Sequence, residues 1–210
     1  MKGIIFDLDG VICFTDKFHY RAWKKLADRL GIYFDEEINN RLRGVSRMAS
    51  LDIILERSDK KYTEEEKLAL AEEKNETYKE LLVQMSPDDL SDEVRDTLME
   101  LRNRGYKLAI GSSSKNTRTI LERIGLGDFF DEISDGTNIS KSKPDPEVFL
   151  KAAEFIGEKP EDCLVVEDAM AGIEAAFRGG FKSAGLGEAN NHEYVTYKMN
   201  SISDLLSIAV

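Results

Sequence analysis

A chain of 210 residues can form one domain with a large insertion or two small domains, and its 29 Lys and Arg against 40 Asp and Glu leave a net charge of −11. That balance repels nucleic-acid backbones and anionic membranes, so neither is an expected partner and any phosphate must be met by a local set of donors. Cys13 and Cys163 form no CxxC pair and suit a reducing compartment as buried small apolar groups, which points to the cytoplasm.

The first stretch, Gly3-Ile4-Ile5-Phe6, is short, apolar and branched, as suits a strand buried on both faces. It is too short for a membrane span or a signal sequence, because Asp7 and Asp9 interrupt it. Phe18, Ala22, Leu26 and Leu30 then recur at helical spacing, and Gly31 closes that helix. A second helical piece is expected over about 35–43, and a third after Gly44-Val45-Ser46. A long fourth helix opens on the capping box Thr63-Glu64-Glu65-Glu66 and reaches about Leu82. Residues 15–87 therefore read as an all-helical insertion into an α/β domain made of 1–14 and 88–210.

The second half alternates helix and strand. A helix carrying Val94, Leu98 and Leu101 is followed by a strand at 106–110, and a helix with Ile120, Leu121 and Ile124 by a strand at 130–133. A helix over 146–156, a strand at 163–166 and a helix over 170–178 complete the run. This is the pattern of a doubly wound, Rossmann-like parallel sheet, with the first strand pairing with the later ones. The near-glycine-rich run 185–190 lacks the third glycine and the following helix of a dinucleotide loop.

Each strand end carries polar residues. Asp7 and Asp9 stand i, i+2 on an extended backbone, roughly 6.6 Å apart, with Gly10 allowing a sharp turn. Alone they are also compatible with a solvated turn. Ser112-Ser113-Ser114-Lys115-Asn116, Lys143 and Glu167-Asp168 follow later strands, and parallel sheets bind ligands at that edge. Together these are the parts phosphoryl transfer needs: an attacking carboxylate, an acid/base, an anion cradle, and oxygen ligands suited to Mg²⁺.

The order and spacing of Asp7-Leu8-Asp9-Gly10-Val11, Ser112, Lys143 and Glu167-Asp168 resemble the haloacid dehalogenase-like superfamily over the whole chain. The resemblance implies that Asp7 attacks phosphorus and Asp9 is the general acid/base, while Ser112 and Lys143 hold the transferring phosphate. It also implies a Mg²⁺ site of Asp7, the Asp9 carbonyl and Asp168, supported by Glu167.

Within that superfamily the chain is similar to the β-phosphoglucomutases, through residues 6–12, Thr15, residues 19–24, residues 41–47, Ser50, Lys74-Asn75, residues 114–116 and residues 167–173. The resemblance implies that Arg47 grips the phosphate not being transferred, with Ser114, Lys115 and Asn116 on the core side. Arg43, Gly44, Ser50 and Lys74 would line the sugar pocket, Thr15 and His19 would help position Asp9 as the helical cap closes, and Trp23 would join them among the substrate-binding residues. Each has a plainer reading: Arg47 as a surface residue, His19 as an interfacial histidine, Trp23 as core, Lys74 as a solvated lysine on a charged face. A guanidinium can grip a phosphate through two parallel bonds, which suits a remote anchor.

The function implied is interconversion of β-D-glucose 1-phosphate and glucose 6-phosphate through an aspartyl-phosphate, primed by glucose 1,6-bisphosphate, by a monomer. A sugar-phosphate phosphatase on the same scaffold is the main alternative. A phosphate-binding regulatory protein is a third, disfavoured by the presence of both carboxylates.

Overall fold

The computed structural model describes residues 1–42 and 45–209. Arg43 and Gly44, both assigned above to a sugar pocket, lie outside the described residues. In chain order the elements are β1 (Gly3–Phe6), α1 (Asp16–Leu30), α2 (Glu36–Asn40), α3 (Arg47–Leu55), α4 (Glu64–Leu82), α5 (Asp92–Asn103), β2 (Lys107–Gly111) and α6 (Thr117–Arg123). There follow β3 (Glu132–Ser134), α7 (Glu147–Phe155), β4 (Cys163–Glu167), α8 (Met170–Arg178), β5 (Lys182–Gly185), β6 (Tyr197–Lys198) and α9 (Leu205–Ile208). The chain divides into two compact units, Met1–Phe14 with Ser86–Val210, and Thr15–Met85.

The α/β unit is built on a six-stranded sheet in the order β3-β2-β1-β4-β5-β6, all pairs parallel. β1 is central: Gly3–Phe6 face Lys107–Ile110 on one side and Cys163–Val166 on the other. Both faces of these strands are covered, which is why Ile4, Ile5, Phe6, Leu164, Val165 and Val166 are all fully buried and read as unbroken apolar runs. Ile5, Ala109 and Val165 pack with Val148, Phe149 and Ala152 of α7 and Ala175 and Ala176 of α8. Burying a side chain such as Phe149 contributes about 1.5–3 kcal/mol. The strand order reverses between β1 and β4, and it is at the carboxyl edge of such a reversal that open parallel sheets bind their ligands.

The helical unit is organised by caps and one apolar core. Asp35, Ser46 and Thr63 each accept a backbone N–H at a helix start, and Thr63 and Glu66 complete a reciprocal capping box. Gly31 ends α1 in the left-handed region at φ 70°, a conformation a side chain would resist. Trp23, Leu26, Ile38, Leu51, Ile54 and Leu70 share the core. Among the described residues no helix is long and apolar enough to cross a membrane.

The parallel sheet follows the sequence-based expectation, with three differences. α2 stops at Asn40, short of the expected 43, and Arg41 and Leu42 form a turn. β3 starts two residues later than 130. β5, β6 and α9 extend the sheet and its flank beyond the last element expected.

Candidate active site

The carboxyl edge of the central strands brings the strand-end residues together. Asp7 continues the ladder of β1, its N–H donating to the Val166 carbonyl at 2.9 Å, so its position is fixed by the sheet. The chain then turns over residues 8–13, where the Ile12 and Cys13 N–H groups donate to the Leu8 carbonyl and the Gly10 N–H donates to Cys13. Gly10 has φ 90°, and a Cβ there would lie 2.0 Å from Asp168 Oδ2. The turn thus needs glycine for its conformation and for the approach of the second acidic pair.

Lys143 reaches into this edge with its side chain 7 % exposed, and its Nζ lies 2.5 Å from both Asp7 Oδ1 and Glu167 Oε1. The Phe149 ring lies beneath it, 4.6 Å from Nζ to the centroid. Burial opposes the ammonium charge, but the carboxylates of Asp7 and Glu167 outweigh it and raise the Lys143 pKa. Glu167 is held from the other side by the N–H groups of Asp168 and Ala169, both at 2.9 Å. Burial raises its pKa, against the pull of Lys143.

Asp7, Glu167 and Asp168 each offer a carboxylate oxygen, and these lie within 4.8 Å of one another. Burial, and after it the charges of Glu167, Asp7 and Asp9, push Asp168 up to about 8. Such crowding of like charge is what a divalent cation relieves, and an all-oxygen donor set matches the preference of Mg²⁺. The residues present therefore fit that ion.

The loop after β2 is a chain of short turns. Ser112, 4 % exposed, accepts the Ser114 N–H through its hydroxyl at 3.2 Å, and Ser114 does the same for the Asn116 N–H. Its backbone is joined to the strand beside it through the bond from the Ser112 N–H to the Ser134 carbonyl. Asn116 is buried and Lys115 exposed. Ser112, Asp7 and Lys143 thus come from three loops at one sheet edge.

In the helical unit the predicted residues form a second group. Arg47 opens α3, donates to Asn75 Oδ1 at 2.9 Å and faces Glu72 at 3.5 Å. Burial lowers its pKa. Lys74 is 3 % exposed, so the solvated reading fails. Its Nζ is 2.8 Å from His19 Nδ1 and lies over the rings of Trp23 and Tyr78 at 4.8 and 4.5 Å. His19 stacks on Tyr78 at 4.1 Å, and burial, with Lys74 and Arg47 nearby, drives its pKa well below the usual value. Tyr78 donates to the Thr15 hydroxyl at 3.1 Å, and Ser50 is buried.

Comparison with known proteins decides the family. The model of the haloacid dehalogenase-like hydrolases matches residues 1–180. A β-phosphoglucomutase of Bacillus subtilis is 42% identical over 190 residues, which cover 90% of this chain and 84% of that one. The chain belongs to the haloacid dehalogenase-like hydrolases. A phosphorylated carbohydrates phosphatase of Thermotoga maritima is 32% identical over 89% of this chain and 82% of its own length. Among solved structures, a β-phosphoglucomutase of Clostridium difficile superimposes with a TM-score of 0.90 at 39% identity, covering 98% of this chain and 93% of that one.

Two residues of this haloacid dehalogenase-like site escaped the sequence reading. Phe149 carried no sequence signal of its own, and Gly172 stood only within the resembling stretch 167–173, with no role attached. A Cβ on Gly172 would meet Glu167 Oε1 at 2.0 Å, so its absence makes room for the carboxylate that holds Lys143. A glycine inside a helix is the available hint of such an approach. Ala for Gly inside a helix ordinarily stabilises by about 0.5–1 kcal/mol. Here Gly172→Ala is expected to destabilise instead, by about 1–3 kcal/mol as overpacking does. Thermal melting of the two proteins checks the sign.

Proposed function

We propose that this protein interconverts β-D-glucose 1-phosphate and glucose 6-phosphate, as a Mg²⁺-dependent phosphomutase acting as a monomer in the cytoplasm. The observation that carries the chemistry is the convergence of Asp7, Lys143 and Asp168 at one sheet edge; the likeness to the Bacillus subtilis relative supports the choice of sugar.

In the first half-reaction the Asp7 carboxylate forms a bond to phosphorus, and the bond from phosphorus to the sugar oxygen breaks. Asp9 gives that oxygen its proton. In the second, a different hydroxyl of the sugar attacks the aspartyl-phosphate while Asp9 takes up its proton, restoring the Asp7 carboxylate and the Asp9 carboxylic acid. Ser112 and Lys143 hold the phosphoryl oxygens throughout. After the second half and before the next first half, the sugar carries phosphate at both ends and Asp7 carries none, so β-glucose 1,6-bisphosphate is the bound intermediate and, supplied as a trace, the primer that first phosphorylates Asp7. Mg²⁺ held by Asp7, Asp168 and the Asp9 carbonyl, with Glu167 in support, would neutralise phosphoryl charge.

The role assigned to Arg47 is to grip the phosphate that is not being transferred, with Ser50, Lys74, Ser114, Lys115 and Asn116 as further contacts to the sugar phosphate. Such remote binding energy favours a sugar hydroxyl over water as acceptor.

A coupled assay with β-glucose 1-phosphate, Mg²⁺ and a trace of glucose 1,6-bisphosphate tests the reading by following glucose 6-phosphate and free phosphate together. Glucose 6-phosphate with little free phosphate is the expected result. Phosphate release without isomerisation would replace the proposal by the phosphatase reading.

A further inference from the structure

Lys143 sits near the end of a long connection from β3 to α7, and an extended loop has little means of fixing one ammonium to within a fraction of an ångström. The means is visible four residues further on. Glu147, the first residue of α7, accepts through one oxygen, Oε2, from the Ser140 N–H at 3.0 Å, the Ser140 hydroxyl at 2.8 Å and the Lys141 N–H at 2.8 Å. Its other oxygen faces Lys151 Nζ at 2.9 Å, one turn along the same helix. Lys151 also donates to the Asn138 carbonyl, which ties the start of the same loop to α7. Asp145 accepts the Glu147 N–H at 3.1 Å, closing the return into the helix. Lys151, followed by Ser140, holds Glu147 down to about 2, so the carboxylate stays charged across the physiological range.

These bonds grip the loop two residues before Lys143, while Phe149, two residues after Glu147, lies under the ammonium. The helix therefore sets both the approach of the lysine and the surface it rests on. We infer that Glu147 is a positioning residue for phosphoryl transfer, whose carboxylate clamps residues 140–141 to α7 and so sets the reach of Lys143. The inference rests on Lys143 holding the transferring phosphate, and it holds whether a sugar or water is the acceptor.

The test is a cycle of variants. Glu147→Ala and Glu147→Gln are each made with Lys143 present and with Lys143→Ala, and kcat and KM are measured with β-glucose 1-phosphate. Displacement of a catalytic group by about 1 Å can cost about 10²-fold, so Glu147→Ala with Lys143 present is expected to lower kcat by about that factor with KM within about twofold. Glu147→Gln keeps an acceptor for the loop N–H groups and recovers part of the loss. With Lys143 already removed, neither change has a further effect beyond about twofold, because groups that act as a unit are not additive. Equal losses in both backgrounds, or an unchanged kcat in a folded Glu147→Ala protein, would overturn the inference. Should Glu147→Ala not fold, Glu147→Gln in the two backgrounds gives the same decision.

Failure of the proposed function looks different, since the wild-type protein would then leave β-glucose 1-phosphate untouched. In that case the cycle is read with p-nitrophenyl phosphate as donor, and the same comparison of backgrounds decides.

Discussion

Asp7→Asn is expected to lower phosphoryl transfer by about 10⁴-fold or more, the scale on which enzymes lose rate when a nucleophile that works as part of a unit is removed. The amide is nearly the size of the carboxylate and its backbone remains in the sheet ladder, with the N–H still on the Val166 carbonyl, so the fold is retained. What goes is the charge. An amide nitrogen or oxygen cannot form the acyl phosphate that splits one displacement into two, and Lys143 is left paired with Glu167 alone. Rapid-quench measurement with labelled bisphosphate separates the possibilities: the variant should bind the sugar phosphate, show no burst of labelled protein, and melt within a few degrees of the wild type. A labelled protein at wild-type rate would remove Asp7 from the role of nucleophile.

Lys143→Met acts on stability as well as on rate. Methionine replaces the stem at similar volume, but the ammonium between Asp7 and Glu167 is lost, and breaking a buried pair typically costs about 3–5 kcal/mol because an uncompensated charge is left inside. Three carboxylates then crowd one small volume with no ammonium among them. A divalent cation relieves that repulsion, so the loss in denaturant unfolding should be largest in chelator and shrink at millimolar Mg²⁺. Because the Lys143 pKa is raised in the folded protein, its contribution is fully present below about 10.4, the ordinary lysine value, and is lost only as the pH rises through the folded value. The difference between wild type and variant should therefore be flat from neutral pH to about 10 and narrow only above that. The rate is expected to fall by about 10²–10³-fold, as when a donor to developing charge is removed. An equal loss of stability with and without Mg²⁺ would contradict the electrostatic account.

The sheet and its reactive edge were legible because their signals are local. Gly3–Phe6 and Cys163–Val166 are unbroken apolar runs, and each ends in an acidic pair at the point where a parallel strand delivers its ligands. β5 was not legible: Lys182-Ser183-Ala184-Gly185 contains no branched or aromatic side chain and reads as loop. It is a strand because β4 offers an open edge and because Ser183 and Thr196 exchange hydrogen bonds. Tyr197–Lys198 is too short to register by periodicity at all. Lys74 shows the same limit at a single residue. Its neighbours Glu72, Glu73 and Glu76 suggest a wet face, but Trp23 and His19 of another helix enclose it, and only packing of α1 on α4 reveals that. Glu147 falls in the same class, since its three acceptor bonds depend on the path of a loop that no sequence pattern describes.

The central place of β1 has a consequence for how the chain is made. Gly3–Phe6 is synthesised before either of its neighbours: one, Lys107–Ile110, is about a hundred residues behind it and the other, Cys163–Val166, lies beyond that. At about 5–20 residues per second the strand waits roughly ten to thirty seconds for its second partner. The residues of the helical unit are all synthesised before either neighbour and can settle in the meantime. Ile4, Ile5 and Phe6 are an apolar segment with two bare edges until Lys107–Ile110 is made and one bare edge until Cys163–Val166 follows, so nascent chains stalled before residue 163 should recruit chaperones and precipitate more readily than full-length ones.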